Sequence, residues 1–148
     1  MSSLLLVCRA NLCRSPMAEI VYRGCASQLG LTRVESAGVK ASWRSLPMDA
    51  RARAALERRR YEVDKRWRSQ KASAALLARF DRVLALDAEV LAGLRKLWPE
   101  APPGRLQLLM DLVPGQQGQD VPDPYYGDEA GFERALDLIE RSVRGFFR

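Results

Sequence analysis

The sequence predicts an α/β fold in which a parallel sheet carries helices on both faces, built as a single three-layer domain over residues 1–148. Three observations lead there. Short apolar runs alternate with segments of helical spacing along the whole chain. The first apolar run passes into a polar loop and then a helical segment opened by proline, a strand–loop–helix order that places a phosphate-binding loop after the first strand. A content of 47% hydrophobic residues is enough for a substantial core without metals or disulfide staples.

Leu4 to Val7 is the first strand, and Pro16 begins a helix that reaches Leu29 and stops at Gly30. Val34 to Ala37, closed by Gly38, is the second strand. A helix follows from about Asp49, which can cap it, with Ala52, Ala55 and Leu56 on one face. The Ala74 to Phe80 helix leads to the third strand, Val83 to Leu86. Asp87 can cap the next helix, whose Val90, Leu91, Leu94 and Trp98 share a side, and the fourth strand is Leu106 to Leu109 after Pro102-Pro103-Gly104. The stretch from Asp111 to Gly127 is long for a loop and rich in Gly, Pro, Gln and Asp, which points to function or disorder. The last helix runs from about Asp128, its buried stripe formed by Phe132, Leu136, Ile139, Val143 and Phe146 or Phe147. No internal repeat or domain boundary is visible. The Arg58-Arg59-Arg60 run reads as a solvated helix face.

Composition excludes several chemistries. There is no histidine, so Cys-His and Ser-His pairs and the usual metal ligand are absent. The three cysteines fall within the first 25 residues without a CxxC pair, which argues against a disulfide framework and a zinc site and for reduced thiols. No metal or cofactor is expected. The apolar start is too short for a signal peptide or membrane span and has no basic leader, so a cytoplasmic protein without membrane contact is expected. A net charge of +6 would attract phosphorylated substrates or other polyanions. A nucleic-acid partner is not expected, because neither a basic, aromatic-studded strand face nor a recognition helix is found.

The candidate site is Cys8-Arg9-Ala10-Asn11-Leu12-Cys13-Arg14-Ser15. A loop joining a buried strand to a helix lets several amides and the helix N-terminus converge near the Cys8 sulfur, which makes an anion site. The helix end and the Arg14 guanidinium stabilise negative charge on that sulfur without a histidine. Arg14 offers a planar fork for two phosphate oxygens that can follow them into the transition state. Ser15 can donate its hydroxyl to the sulfur as it becomes a leaving group. Cys13 reads either as core filler or as a redox partner of Cys8, and Cys25 as packing within the first helix.

The segment LLLVCRANLCRSPMAE resembles the phosphate-binding loop of the low-molecular-weight protein tyrosine phosphatases. Glu35-Ser36-Ala37-Gly38, Met48-Asp49-Ala50-Arg51-Ala52, Leu84-Ala85-Leu86-Asp87 and Val121-Pro122-Asp123-Pro124-Tyr125-Tyr126-Gly127 extend the likeness over the chain. The resemblance implies a four-stranded parallel sheet and a metal-free reaction through a cysteinyl phosphate. It also implies that Asn11 takes a left-handed backbone conformation, held by hydroxyls such as those of Ser15 and Ser36. Cys8 is then the nucleophile, Arg14 the phosphate clamp and Asp123 the acid that protonates the leaving phenolate, held out by the extended backbone that Pro124 imposes. Tyr125, Tyr126 and Trp43 are expected as walls for a phenyl ring. Asp87 reads equally as a helix cap and as a residue beside the site. Two departures stand out. Ala10 occupies a usual glycine position, requiring either a negative φ or strain of roughly 1 kcal/mol. A histidine common in the family is missing from the region of Asp64-Lys65-Arg66-Trp67-Arg68-Ser69, so the support of Asn11 must be built differently.

The implied partner is a phosphotyrosine-containing protein, including a bacterial tyrosine kinase, with inorganic phosphate as product and inhibitor and a monomer or weak dimer as the expected state. An arsenate reductase would need further downstream cysteines, and none follows Cys25. A protein-arginine phosphatase carries threonine where this chain has Leu12. A non-catalytic phosphate-binding or nucleic-acid-binding module is the alternative from another class.

Overall fold

The computed structural model describes residues 2–146. In chain order its elements are β1 (Ser2–Cys8), α1 (Arg14–Gly24), α2 (Ala26–Leu29), β2 (Leu31–Gly38), α3 (Ala50–Arg58), α4 (Ala74–Ala78), β3 (Arg82–Ala85), α5 (Ala88–Leu97), β4 (Leu106–Leu108), a 3-10 turn (Leu109–Leu112) and α6 (Glu129–Gly145). The four strands form one parallel sheet in the order β2-β1-β3-β4.

The continuous apolar run of β1 follows from its central position. Leu4 and Leu6 enter one core with side chains of α1, α3 and α6, whereas Leu5 and Val7 enter a second core with α4 and α5. A strand covered on both faces has no polar phase. Cys8 continues the phase of Leu4 and Leu6, so its side chain lies on the α1 side, at the strand end where the loop begins.

Most of the expected elements form, with shifted bounds. Asp49, Asp87 and Asp128 each cap the following helix, accepting from Arg51 and Ala52, from Val90 and from Gly131 respectively. The helix expected from Pro16 to Leu29 is broken. Gly24, a weak helix former, is followed by Cys25 outside the helical region (φ −124°, ψ 18°), whose amide turns back to the Tyr22 carbonyl. Cys25 is therefore a junction residue rather than a helix-interior one, half-buried, with its Sγ 3.4 Å from the Val21 carbonyl. The α6 stripe buries Phe132, Leu136, Ile139 and Phe146, with Val143 half-buried; Phe147 lies outside the described residues.

Arg58 and Arg60 are exposed, as a solvated face requires, but Arg58 and the half-buried Arg59 also make ion pairs. Arg58 pairs with Glu129 and Glu133, and Arg59 reaches Glu133, Asp137 and Glu140 at 2.6–2.9 Å, so both tie α3 to α6. Charges at the helix ends were legible; their partners, more than seventy residues away, were not.

Gly145 ends α6 against backbone. A Cβ there would run into the Leu112 carbonyl oxygen. Helix propensity alone favours alanine by about 1 kcal/mol, so the sign of Gly145→Ala tests the contact. We expect destabilisation of about 3 kcal/mol, seen by calorimetry as a Tm lowered by roughly 10 °C; a raised Tm would mean that the helix end is not held against Leu112.

Candidate active site

The loop of residues 9–13 leaves β1 and folds back over its own end. Asn11 makes this possible with φ +57°, which turns its amide toward the Cys8 sulfur at 3.3 Å. The Ser15 hydroxyl stands 3.0 Å from the same sulfur. That hydroxyl already accepts a hydrogen bond from Asn11 Nδ2 at 2.8 Å, so its single proton goes either to Cys8 or to the Ala37 carbonyl at 3.3 Å. The sulfur thus meets donors, the environment that a thiolate requires. Ala10 keeps a negative φ and so carries no left-handed strain, since Asn11 and Arg60 are the only non-glycine residues with positive φ among those described.

Asn11 is fully buried and bonded on every side. Its Nδ2 also donates to Ser36 Oγ at 3.0 Å, and its Oδ1 accepts from the Gln70 amide at 2.9 Å. Ser36 in turn donates to Glu19 Oε1 at 2.5 Å. Glu19 is 3% exposed, accepts the Trp67 indole N–H at 3.0 Å, and pairs with Arg23 at 2.8 Å. Trp67 thus contributes a donor from the segment that lacks the family's histidine. Glu19, Trp67 and Gln70 were missed from sequence. The available signal was a carboxylate within the α1 stripe, because a buried glutamate is almost always paired.

Gly38 closes β2 directly beneath this loop. A Cβ there would stand 2.8 Å from backbone atoms of Arg9, Ala10 and Asn11, and the next two residues donate their amides to the Cys8 and Arg9 carbonyls. The second strand therefore holds the loop from below, and only glycine permits the approach.

Arg14 opens α1, is 3% exposed, and directs Nη1 to Asp87 Oδ2 at 2.7 Å and to the Val121 carbonyl at 2.9 Å. Asp87 uses its other oxygen to cap α5, so it acts as helix cap and as orienter of Arg14 together. Nη2 of Arg14 lies 3.6 Å from Asp123 Oδ2. Burial opposes the Arg14 charge, but Cys8, Asp87 and Asp123 outweigh it and hold its pKa above the ordinary value.

A cavity of about 480 Å³ opens over the loop, lined by Cys8, Arg9, Ala10, Leu12, Cys13, Arg14, Asp123, Tyr125 and Tyr126. The two tyrosines meet edge to face with centroids 4.9 Å apart, and Asp123 is braced by the Tyr125 amide at 3.0 Å. Trp43, expected as a facing wall, is not among the lining residues: its loop leaves it 88% exposed, with Lys71 Nζ 5.1 Å from its ring. Burial, then the charges of Asp49, Cys8 and Asp123, push the Cys13 thiol well above its usual range. Cys13 is thus a reluctant thiolate, whatever its redox pairing with Cys8. Among the described residues no helix is long and apolar enough to cross a membrane.

Comparison with known proteins agrees with this architecture. Residues 3–148 match the family model described as low molecular weight phosphotyrosine protein phosphatase. The chain is 39% identical to a low molecular weight protein-tyrosine-phosphatase of Streptomyces coelicolor, over 94% of this chain and 87% of that protein. A crystal structure of a low molecular weight phosphotyrosine phosphatase from Vibrio cholerae superposes with a TM-score of 0.88 at 32% identity, covering 99% and 95% of the two chains. The arginine phosphatase YwlE, in a mutant with a phosphorylated active-site serine, superposes with a TM-score of 0.84 at 28% identity, covering 97% and 91%. A match that runs from the first strand to the C-terminus and includes the loop around Cys8 shows that the chain belongs to the low molecular weight phosphotyrosine protein phosphatase family.

Proposed function

We propose that this chain hydrolyses phosphotyrosine in proteins, with Cys8 as nucleophile, Arg14 as phosphate clamp and Asp123 as proton donor. The observation that carries the reading is the Cys8 sulfur, met by the Asn11 amide and the Ser15 hydroxyl, in a cavity whose wall holds Asp123 and two tyrosines. The Cys8 thiolate attacks phosphorus, an S–P bond forms and the P–O bond to the tyrosyl ring breaks, while Asp123 gives its proton to the departing oxygen. Asp123, now a carboxylate, takes a proton from water as that oxygen bonds to phosphorus. The S–P bond then breaks and sulfur leaves as thiolate toward Ser15 and Asn11. Arg14, held by Asp87 and Val121, can meet the equatorial oxygens without paying the entropy of being ordered.

A second reading, phosphoarginine hydrolysis, draws on the likeness to YwlE. Leu12 and the two tyrosines favour an aromatic substrate, because they offer flat apolar surface to a phenyl ring. With EDTA present, we expect a phosphotyrosine peptide to be turned over at least tenfold faster than a phosphoarginine peptide, measured as phosphate release. The reverse order would assign the chain to arginine.

Cys8→Ser should abolish turnover yet retain binding of phosphotyrosine, since the loop amides and Arg14 remain. Activity within tenfold of wild type would rule out Cys8 as nucleophile. For Asp123→Ala, we expect kcat for phenyl phosphate to fall roughly 10²-fold, with a smaller loss for nitrophenyl phosphate, whose leaving group needs no proton. Equal losses across a series of aryl phosphates would leave Asp123 a loop-shaping role only.

A further inference from the structure

A second cavity, of about 550 Å³, adjoins the first and shares Arg9, Arg14 and Asp123 with it. One wall is the face of α5 that carries Glu89, Gly93 and Lys96, at helical spacing; the other begins at Val39 and Lys40, where the chain leaves β2. At Gly93 the two walls come close, since an added Cβ would stand in ordinary contact with Val39 at 3.7 Å. Val39, Val121 and Pro122 add apolar surface to the lining.

The charges sort along this groove. Near the catalytic end they are compensated: Asp87 and Asp123 lie against Arg14, Glu89 pairs with Arg9 at 3.6 Å, and Asp120 accepts the Ala88 amide at 2.9 Å, at the positive end of α5. Lys40 and Lys96 line the groove without a carboxylate partner among the described residues. Lys40 is anchored through its amide to the Arg9 carbonyl at 2.8 Å, so its position is tied to the phosphate loop itself.

We propose that this groove is a subsite for the substrate chain beside the phosphotyrosine, and that it selects an anionic side chain, a carboxylate or a second phosphate ester, held by Lys40 and Lys96. The inference rests on the phosphotyrosine reading above and extends it to the substrate's sequence. The distance from Glu89 to Lys96 along the helix, roughly 10 Å, is that of about three residues of extended chain. For a substrate chain that enters beside Glu89, the preferred anion is then two or three residues from the phosphotyrosine. A free aryl phosphate carries no flanking chain to enter this groove.

The test compares kcat/KM for phosphotyrosine peptides carrying alanine, glutamate, phosphoserine or lysine three residues to either side, with nitrophenyl phosphate as reference. Wild type should prefer the glutamate or phosphoserine peptide over the alanine peptide by about fivefold, on one side of the phosphotyrosine. The larger gain identifies the source of the anion. Lys40→Glu with Lys96→Glu should reverse the preference toward the lysine peptide, read as a ratio of kcat/KM between peptides so that any change shared with nitrophenyl phosphate cancels. Arg134→Glu with Arg141→Glu makes the same change in net charge on the exposed side of α6 and should keep the wild-type preference. Equal kcat/KM for all four peptides, or loss of the preference in both double variants alike, would overturn the subsite while the phosphatase reading stands. Turnover of nitrophenyl phosphate without turnover of any phosphotyrosine peptide would overturn both.

Discussion

The buried carboxamide of Asn11 is the constraint on which the rest of the site depends. Its left-handed backbone turns its own amide to the Cys8 sulfur, and its side chain is held from three directions by Ser15, Ser36 and the Gln70 amide. A non-glycine residue in this conformation costs on the order of 1 kcal/mol, and each buried polar group left without a partner would cost about 1–3 kcal/mol. The conformation persists because the surrounding contacts determine it from several sides. The same bonds limit where the Ser15 proton can point, and so couple the shape of the loop to the hydrogen bonding of the Cys8 sulfur.

Beyond Asn11 the support runs outward to elements that never touch the cavity. Ser36 leads to Glu19, and Glu19 to Trp67 and Arg23. A buried carboxylate with three donors is compensated rather than stranded, and the chain of bonds joins α1, β2 and the segment between α3 and α4 into one frame. On the opposite side Asp87 ties Arg14 to the start of α5. Capping a helix and orienting the guanidinium with the two oxygens of one carboxylate makes the position of Arg14 a consequence of the fold. The guanidinium needs no reordering when an anion arrives.

The central strand explains why the Cys8 sulfur sits where it does. With Leu4 and Leu6 on one face and Leu5 and Val7 on the other, the strand's register is set by two cores at once. A slip by one residue would exchange those faces and send the Cys8 side chain away from α1. The position of one sulfur is thus fixed by the packing of the whole sheet.

Local signals in the chain determined a good deal by themselves. Apolar runs, capping aspartates and Gly30 as a helix stop located the strands and most helices, because these depend on neighbours within a few residues. The C-x5-R-S string marked Cys8, Arg14 and Ser15 as candidates for the same reason, whereas Asp123 stood out only beside that string and through the family resemblance. Tertiary structure decided what those signals could not reach: the break at Cys25, the double duty of Asp87, the exclusion of Trp43 from the cavity lining, and the partners of Arg58 and Arg59. Glu19 and Trp67 meet across 48 residues and Asn11 and Gln70 across 59. No periodicity records such pairs, because hydrogen bonds and ion pairs between distant segments arise only after the sheet order and the packing of its helices have brought those segments together.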